Sequence, residues 1–213
     1  MGLLKKGVAA LLVVPAFLAA MILLHEAGHA GTAQALTGIE CQIYIWPGIE
    51  IYPQFGSDQL MPWNAKSLAL TKVVVPDSAA TLQRVLDHNN LILFMGSGFT
   101  QLLSLLSLLA ISLLRPKGIL RRLLIAGALL HIDMLSYTVF PLFHLRHLLF
   151  WGGNHSETLM ALGAVGIPLY LSVPVIVLLS LGQFFWLYLL QSSRPPASAW
   201  RARRVQNHVS NTC

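Results

Sequence analysis

Apolar residues dominate four segments of the chain, 8–30, 91–114, 123–143 and 168–190, and polar or basic residues collect between them. A helix needs about 20 apolar residues to cross a hydrocarbon core of about 30 Å, so each segment predicts a membrane-spanning helix. Pro15 predicts a kink in the first, and Thr37-Gly38 its end. The stretch that follows has a different period. From Ile39 to Trp46 and from Ile49 to Tyr52 apolar and polar residues alternate around Pro47-Gly48, the pattern of a small β-hairpin. Such a pair is marginal alone and must lean on the helices or the lipid interface, where Tyr44, Trp46, Tyr52 and Trp63 would sit. Residues 56–90 show no clear period and read as loop, with one short helix near 78–87. Before the last span, 159–166 forms a short apolar segment. The predicted fold is an all-α polytopic membrane protein of about four transmembrane helices, with the hairpin after the first.

Composition narrows the class. With 213 residues, 55% hydrophobic, 10% charged and a mean hydropathy of +0.66, the chain is too apolar for a soluble domain of this size. It reads as one integral membrane domain, 1–191, followed by a basic tail, 192–213, that reads as disordered and cytoplasmic. The net charge of +6 does not point to nucleic acid, because the basic residues lack any stacking or groove-reading motif. They sit between the spans. Lys5, Lys6, Arg115, Lys117, Arg121, Arg122, Arg194, Arg201, Arg203 and Arg204 would share one side of a four-span arrangement, and no acidic residue joins them. The positive-inside bias then predicts a multi-pass protein with both termini cytoplasmic. The apolar run after Lys5-Lys6 continues past Ala19-Ala20 through Leu24 without a polar break, so it reads as a retained span rather than a cleaved signal. Cys41 and Cys213 fall on opposite sides in this topology, so no disulfide framework is expected.

The chemistry is concentrated in His25-Glu26-Ala27-Gly28-His29, at the end of the first span. Positions i and i+4 share a helix face, so His25 and His29 can present two imidazoles to one metal ion with Glu26 beside it, the H-E-x-x-H arrangement. A catalytic zinc normally takes three protein ligands and leaves one position open. The third must come from elsewhere. The acidic candidates are Asp133 and Glu157, with His155 and His131 behind them. At about 1.5 Å per residue His25 lies ~25 Å from the start of its span and Asp133 ~18 Å from the start of its own, so Asp133 is several ångströms deeper. Glu157 enters from the same face as His29 and fits better on depth; Ser156 before it is an expected N-cap. With Zn2+ bound, the residue types predict peptide-bond hydrolysis, Glu26 taking the proton of the attacking water and delivering it to the leaving amine. An extended substrate could add to an edge of the hairpin.

These features resemble the site-2 protease family of intramembrane zinc metallopeptidases, particularly its small members. The residues that carry the likeness are Leu24-His25-Glu26-Ala27-Gly28-His29-Ala30, the Thr37-Gly38 end, the strand-like segment with Pro47-Gly48, and Gly152-Gly153-Asn154-His155-Ser156-Glu157 leading into Gly166-Ile167-Pro168. The resemblance implies zinc held by His25 and His29, Glu26 as general base, and a third ligand from an acid near the start of a later span. Glu157 stands where those relatives carry aspartate. It also implies a substrate that is a membrane protein or peptide within the lipid bilayer. Two other readings compete: a non-catalytic membrane scaffold or metal-binding protein that keeps the fold, and a small transporter with Asp133 and His131 along a proton path.

Overall fold

The computed structural model describes residues 2–56, 61–63, 68–74, 78–147 and 153–192, with side chains from residue 11 onward. The basic tail beyond Ser192 and part of the glycine stretch at Gly152 lie outside the described residues.

Helix α1 (Gly2–Thr37) runs through Pro15 and stops where Gly38, at φ +70°, returns its N–H to the Gln34 carbonyl. Glycine takes this left-handed turn without the penalty a Cβ would bring. Strands β1 (Cys41–Ile45) and β2 (Ile49–Tyr52) form the expected antiparallel hairpin, with a register shift between Ile43 and Tyr44. A third strand, β3 (Ala69–Val73), pairs antiparallel with the other side of β1, so the order is β2-β1-β3. Sequence reading placed residues 69–73 in a loop. Their alternating pattern is short, and its strand character depends on pairing with β1. Tyr44, expected at an interface, is buried within the sheet, whereas Trp46 and Tyr52 are exposed.

Helix α2 (Ala79–Leu114) is longer than the expected span 91–114, because its polar first turns continue straight into the apolar ones. At 1.5 Å per residue it extends ~54 Å, well beyond a ~30 Å hydrocarbon core. The expected third span is broken. Helix α3 (Gly118–Ala128) ends in a turn at Leu129-Leu130, α4 (His131–Val139) follows, and Phe140–Phe143 closes it as one 3-10 turn. The break frees the Ala128 carbonyl, which accepts from the Ser104 hydroxyl at 2.6 Å and from His131 Nδ1–H at 2.8 Å. Polar side chains thus satisfy a backbone group that a continuous helix would have paired. Helix α5 (Glu157–Ala164) begins at Ser156, whose hydroxyl accepts from the Leu159 N–H as an N-cap. Helix α6 (Leu169–Ser192) completes the chain's described part.

Among the described residues four helical segments, 11–37, 79–114, 118–143 and 169–192, are long and apolar enough to cross a membrane. Their side chains are arranged with aliphatic groups outward and polar ones inward. Leu11, Leu113, Leu178 and Phe185 are exposed, while Thr100, Ser104, Ser180 and Gln183 are buried between helices.

Candidate metal centre

The end of α1 brings His25 and His29 onto the face packed against α2, and both side chains are buried. Each ring is tied at Nδ1. His29 Nδ1–H donates to the Ile92 carbonyl at 2.7 Å, and His25 Nδ1–H donates to Asp133 Oδ2 at 2.8 Å. The Ile92 carbonyl can only accept, so His29 carries a proton on Nδ1, and His25 does the same where Asp133 is the acceptor; in that tautomer of the neutral rings each Nε2 presents a lone pair.

Those lone pairs converge. The two Nε2 atoms are 3.0 Å apart, and Glu157 Oε2 lies 3.1 Å from His29 Nε2 and 3.3 Å from His25 Nε2. With both rings in that tautomer three acceptors face one another, an arrangement that positive charge between them, a proton or a metal ion, would hold together. Ligands of a tetrahedral ion at ~2.0–2.1 Å stand ~3.3 Å apart, close to the observed triangle. His25, His29 and Glu157 therefore form a group that could hold a metal ion, and the nitrogen and oxygen donors suit a divalent one. Gly96 on α2 leaves the room for it: a Cβ there would run into His29 Nε2 and come within 2.6 Å of His25 Nε2.

Asp133, the alternative third ligand of the sequence reading, does not join the triangle. It sits behind His25, on the Nδ1 side, where its Oδ2 also lies 2.8 Å from the Thr100 hydroxyl. In that place a carboxylate fixes the orientation of the imidazole and would raise its basicity were it to hold a metal ion. The break between α3 and α4 is what places it there, a feature that a continuous span of 123–143 does not anticipate. His131 points elsewhere, to the Ala128 carbonyl, so it and Asp133 do not form a pair.

Glu157 reaches the triangle from the first turn of α5. Burial would raise its carboxyl, but the imidazoles of His155, His25 and His29 within hydrogen-bond reach outweigh it and hold the group well below the usual carboxylate range. His155 Nε2 lies 3.5 Å from Glu157 Oε1, the oxygen other than the one facing His25 and His29, and this contact pushes the His155 imidazole up against the opposing effect of burial. His147 Nε2–H bonds the His155 carbonyl, and the His147 N–H bonds the Gly153 carbonyl at 3.2 Å, which closes the loop that delivers Glu157. Burial pushes His147 down.

Glu26 faces a cavity of about 530 Å³ that His29, Thr71, Tyr137, His147 and Glu157 also line. Its Oε2 accepts from the Thr71 hydroxyl at 2.7 Å, so strand β3 holds the carboxylate in place. A second cavity of about 670 Å³, lined almost wholly by apolar residues of α1, α4 and the sheet, shares Ile22, Leu68 and His147 with the first. Sequence reading missed Thr71, Tyr137 and the Ile92 carbonyl. Tyr137 was in principle visible, lying four residues after Asp133 on one helix face; the backbone carbonyl carries no signal in the residue types.

No protein-family model, curated protein or solved structure matches the chain.

Proposed function

We propose that the protein is a zinc-dependent intramembrane endopeptidase that hydrolyses peptide bonds of membrane-associated proteins. The observation that carries this reading is the triangle of His25 Nε2, His29 Nε2 and Glu157 Oε2, with Glu26 held beside it at the wall of a cavity. Zinc bound there would lower the pKa of a water molecule towards neutrality and polarise the substrate carbonyl. Glu26, steadied by Thr71, takes the proton of the attacking water and passes it to the leaving amine. Asp133 and the Ile92 carbonyl keep the two imidazoles in the tautomer that leaves each Nε2 free.

Strand β3 supplies the substrate's seat. It forms an edge of the sheet, and Leu68 to Thr71 line the cavity, so an extended segment can add to its outer side and pass its carbonyl across Glu26. The hairpin keeps an edge at β2, but it is β3 whose residues line the cavity beside Glu26. The adjoining apolar cavity suits the aliphatic side chains of a membrane segment. Insertion of the four apolar helices, with both termini cytoplasmic, is part of the proposal; the inverted distribution of apolar and polar side chains supports insertion, and the basic residues support the orientation.

Metal analysis of the full chain purified in detergent tests the reading. The expected result is one zinc per wild-type chain, retained by Glu26→Gln and lost by Glu157→Ala, with cleavage of a co-expressed membrane substrate abolished in both. A wild-type chain that keeps no zinc overturns the reading. Cleavage undiminished in Glu26→Gln would leave the non-catalytic scaffold.

A further inference from the structure

Tyr137 holds no proton or ion in the scheme above, yet it lies against the centre. Asp133 and Tyr137 stand one turn apart on α4, and both act on His25: the carboxylate at Nδ1, the phenol ring stacked on the imidazole with centroids 4.3 Å apart and planes at 26°. The other face of the ring is covered by His147, with centroids 3.8 Å apart and planes at 30°. The hydrogen bonds that close the Glu157 loop also fix His147, so the phenol is clamped between two anchored imidazoles.

Its hydroxyl is left over. Tyr137 lines the cavity with Glu26, His29 and Glu157, and its hydroxyl has no hydrogen-bond partner among the described residues, nor is it one of the sealed-off polar atoms. Buried tyrosine hydroxyls usually find a partner within the protein. If the ring served only to pack against His25, phenylalanine would do as well, and the chain uses nine elsewhere. A rigid ring with a free O–H at a reaction cavity is a donor prepared for charge that forms during the reaction.

We propose that Tyr137 is a catalytic residue whose O–H donates to the anionic oxygen developing on the attacked substrate carbonyl. The inference rests on the peptidase reading. As water adds, the new C–O bond forms, the carbonyl π pair moves onto oxygen and the water's proton goes to Glu26. Tyr137 keeps its own proton, and its hydrogen bond strengthens as the oxygen gains charge. When the C–N bond breaks, that electron pair returns to the carbonyl and Glu26 delivers its proton to the amine.

The test uses the full zinc-loaded chain in detergent, wild type against Tyr137→Phe, which keeps the stacked ring. The probe is a phosphinic dipeptide analogue with leucyl side chains, whose anionic oxygens carry the charge of the tetrahedral centre. The expected result is unchanged zinc content and about 10- to 100-fold weaker phosphinate binding in Tyr137→Phe, the range for a hydrogen bond to a charged group. On a cleavable peptide, kcat should fall while KM stays the same. Equal phosphinate affinity in the two proteins overturns the proposal and assigns the ring to packing alone. Loss of zinc from Tyr137→Phe also overturns it, by placing the residue in metal retention. Failure of the peptidase reading shows earlier and separately, in a wild type that holds no zinc or binds the phosphinate no better with zinc than without.

Discussion

The two ends of the helix bundle spend their buried polar groups differently. Around His25 the polar atoms link one element to another: α1 to α4 through Asp133, α2 to α4 through the Thr100 hydroxyl that donates to Asp133, α1 to α2 through the Ile92 carbonyl, and α1 with α5 at Glu157. Further along α2, Gln101 and Gln183 of α6 bond side chain to side chain at 2.9 Å, while Gln101 Oε1, His131 Nε2 and Ser180 Oγ have no partner among the described residues. Beyond them lies an apolar cluster of Leu108, Ile111, Ala128 and Leu187. In the first region each imidazole and carboxylate named above has a partner on another element, although the hydroxyls of Ser97, Thr138 and Thr158, beside Gly96, Tyr137 and Glu157, have none among the described residues. The second joins α2 to α6 through amide side chains and leaves the rest to apolar packing. Bonding of ring and carboxylate groups across elements is therefore concentrated where α1, α2, α4 and α5 meet.

Substitutions can break or sharpen that contrast. The largest effect is expected from Glu26→Gln, which removes the proton acceptor and should lower the cleavage rate by about 10²–10⁴-fold while zinc content stays unchanged. Gly96→Ala should come next. Its new methyl group would collide with the imidazoles of His29 and His25, and overpacking of this kind costs about 1–3 kcal/mol, enough to weaken the proposed zinc binding by up to roughly 100-fold. Gly182→Ala on α6, where a Cβ meets nothing within 4 Å, should leave zinc binding as it is; equal effects at the two glycines would erase the contrast.

Asp133→Asn keeps the shape but weakens the hold on His25 Nδ1–H, and zinc affinity measured by competition with a chelator should drop about 10- to 100-fold. The smallest effect belongs to the other end. Replacing Gln101 and Gln183 together by leucine should shift stability by about 1 kcal/mol, read from unfolding in mixed detergent, and leave zinc content untouched. A large zinc loss there would show that the two regions are coupled.

Much of the architecture is legible in the residue pattern because its cause is local. Runs of about 20 apolar residues specify long helices, alternation around Pro47-Gly48 specifies a hairpin, and the i, i+4 spacing puts His25 and His29 on one face whatever else the chain does. Glu157 was reachable by depth and by its cap at Ser156. What failed were features that depend on neighbours. Strand β3 exists because β1 has a second edge to pair, and the break at Leu129-Leu130 persists because Ser104 and His131 satisfy the Ala128 carbonyl it releases.

The sequence by itself determined the apolar helices, the hairpin and the paired imidazoles with an acid between them, since each follows from spacing along one segment. Tertiary structure alone decided which acid faces the lone pairs and which stands behind a ring, and that Thr71, Tyr137 and Gly96 belong to the same few ångströms. Residues 26 and 71, 25 and 133, or 29 and 157 meet through packing between elements, and distances of 2.7 to 3.1 Å between such partners are set by the whole bundle rather than by any stretch of chain.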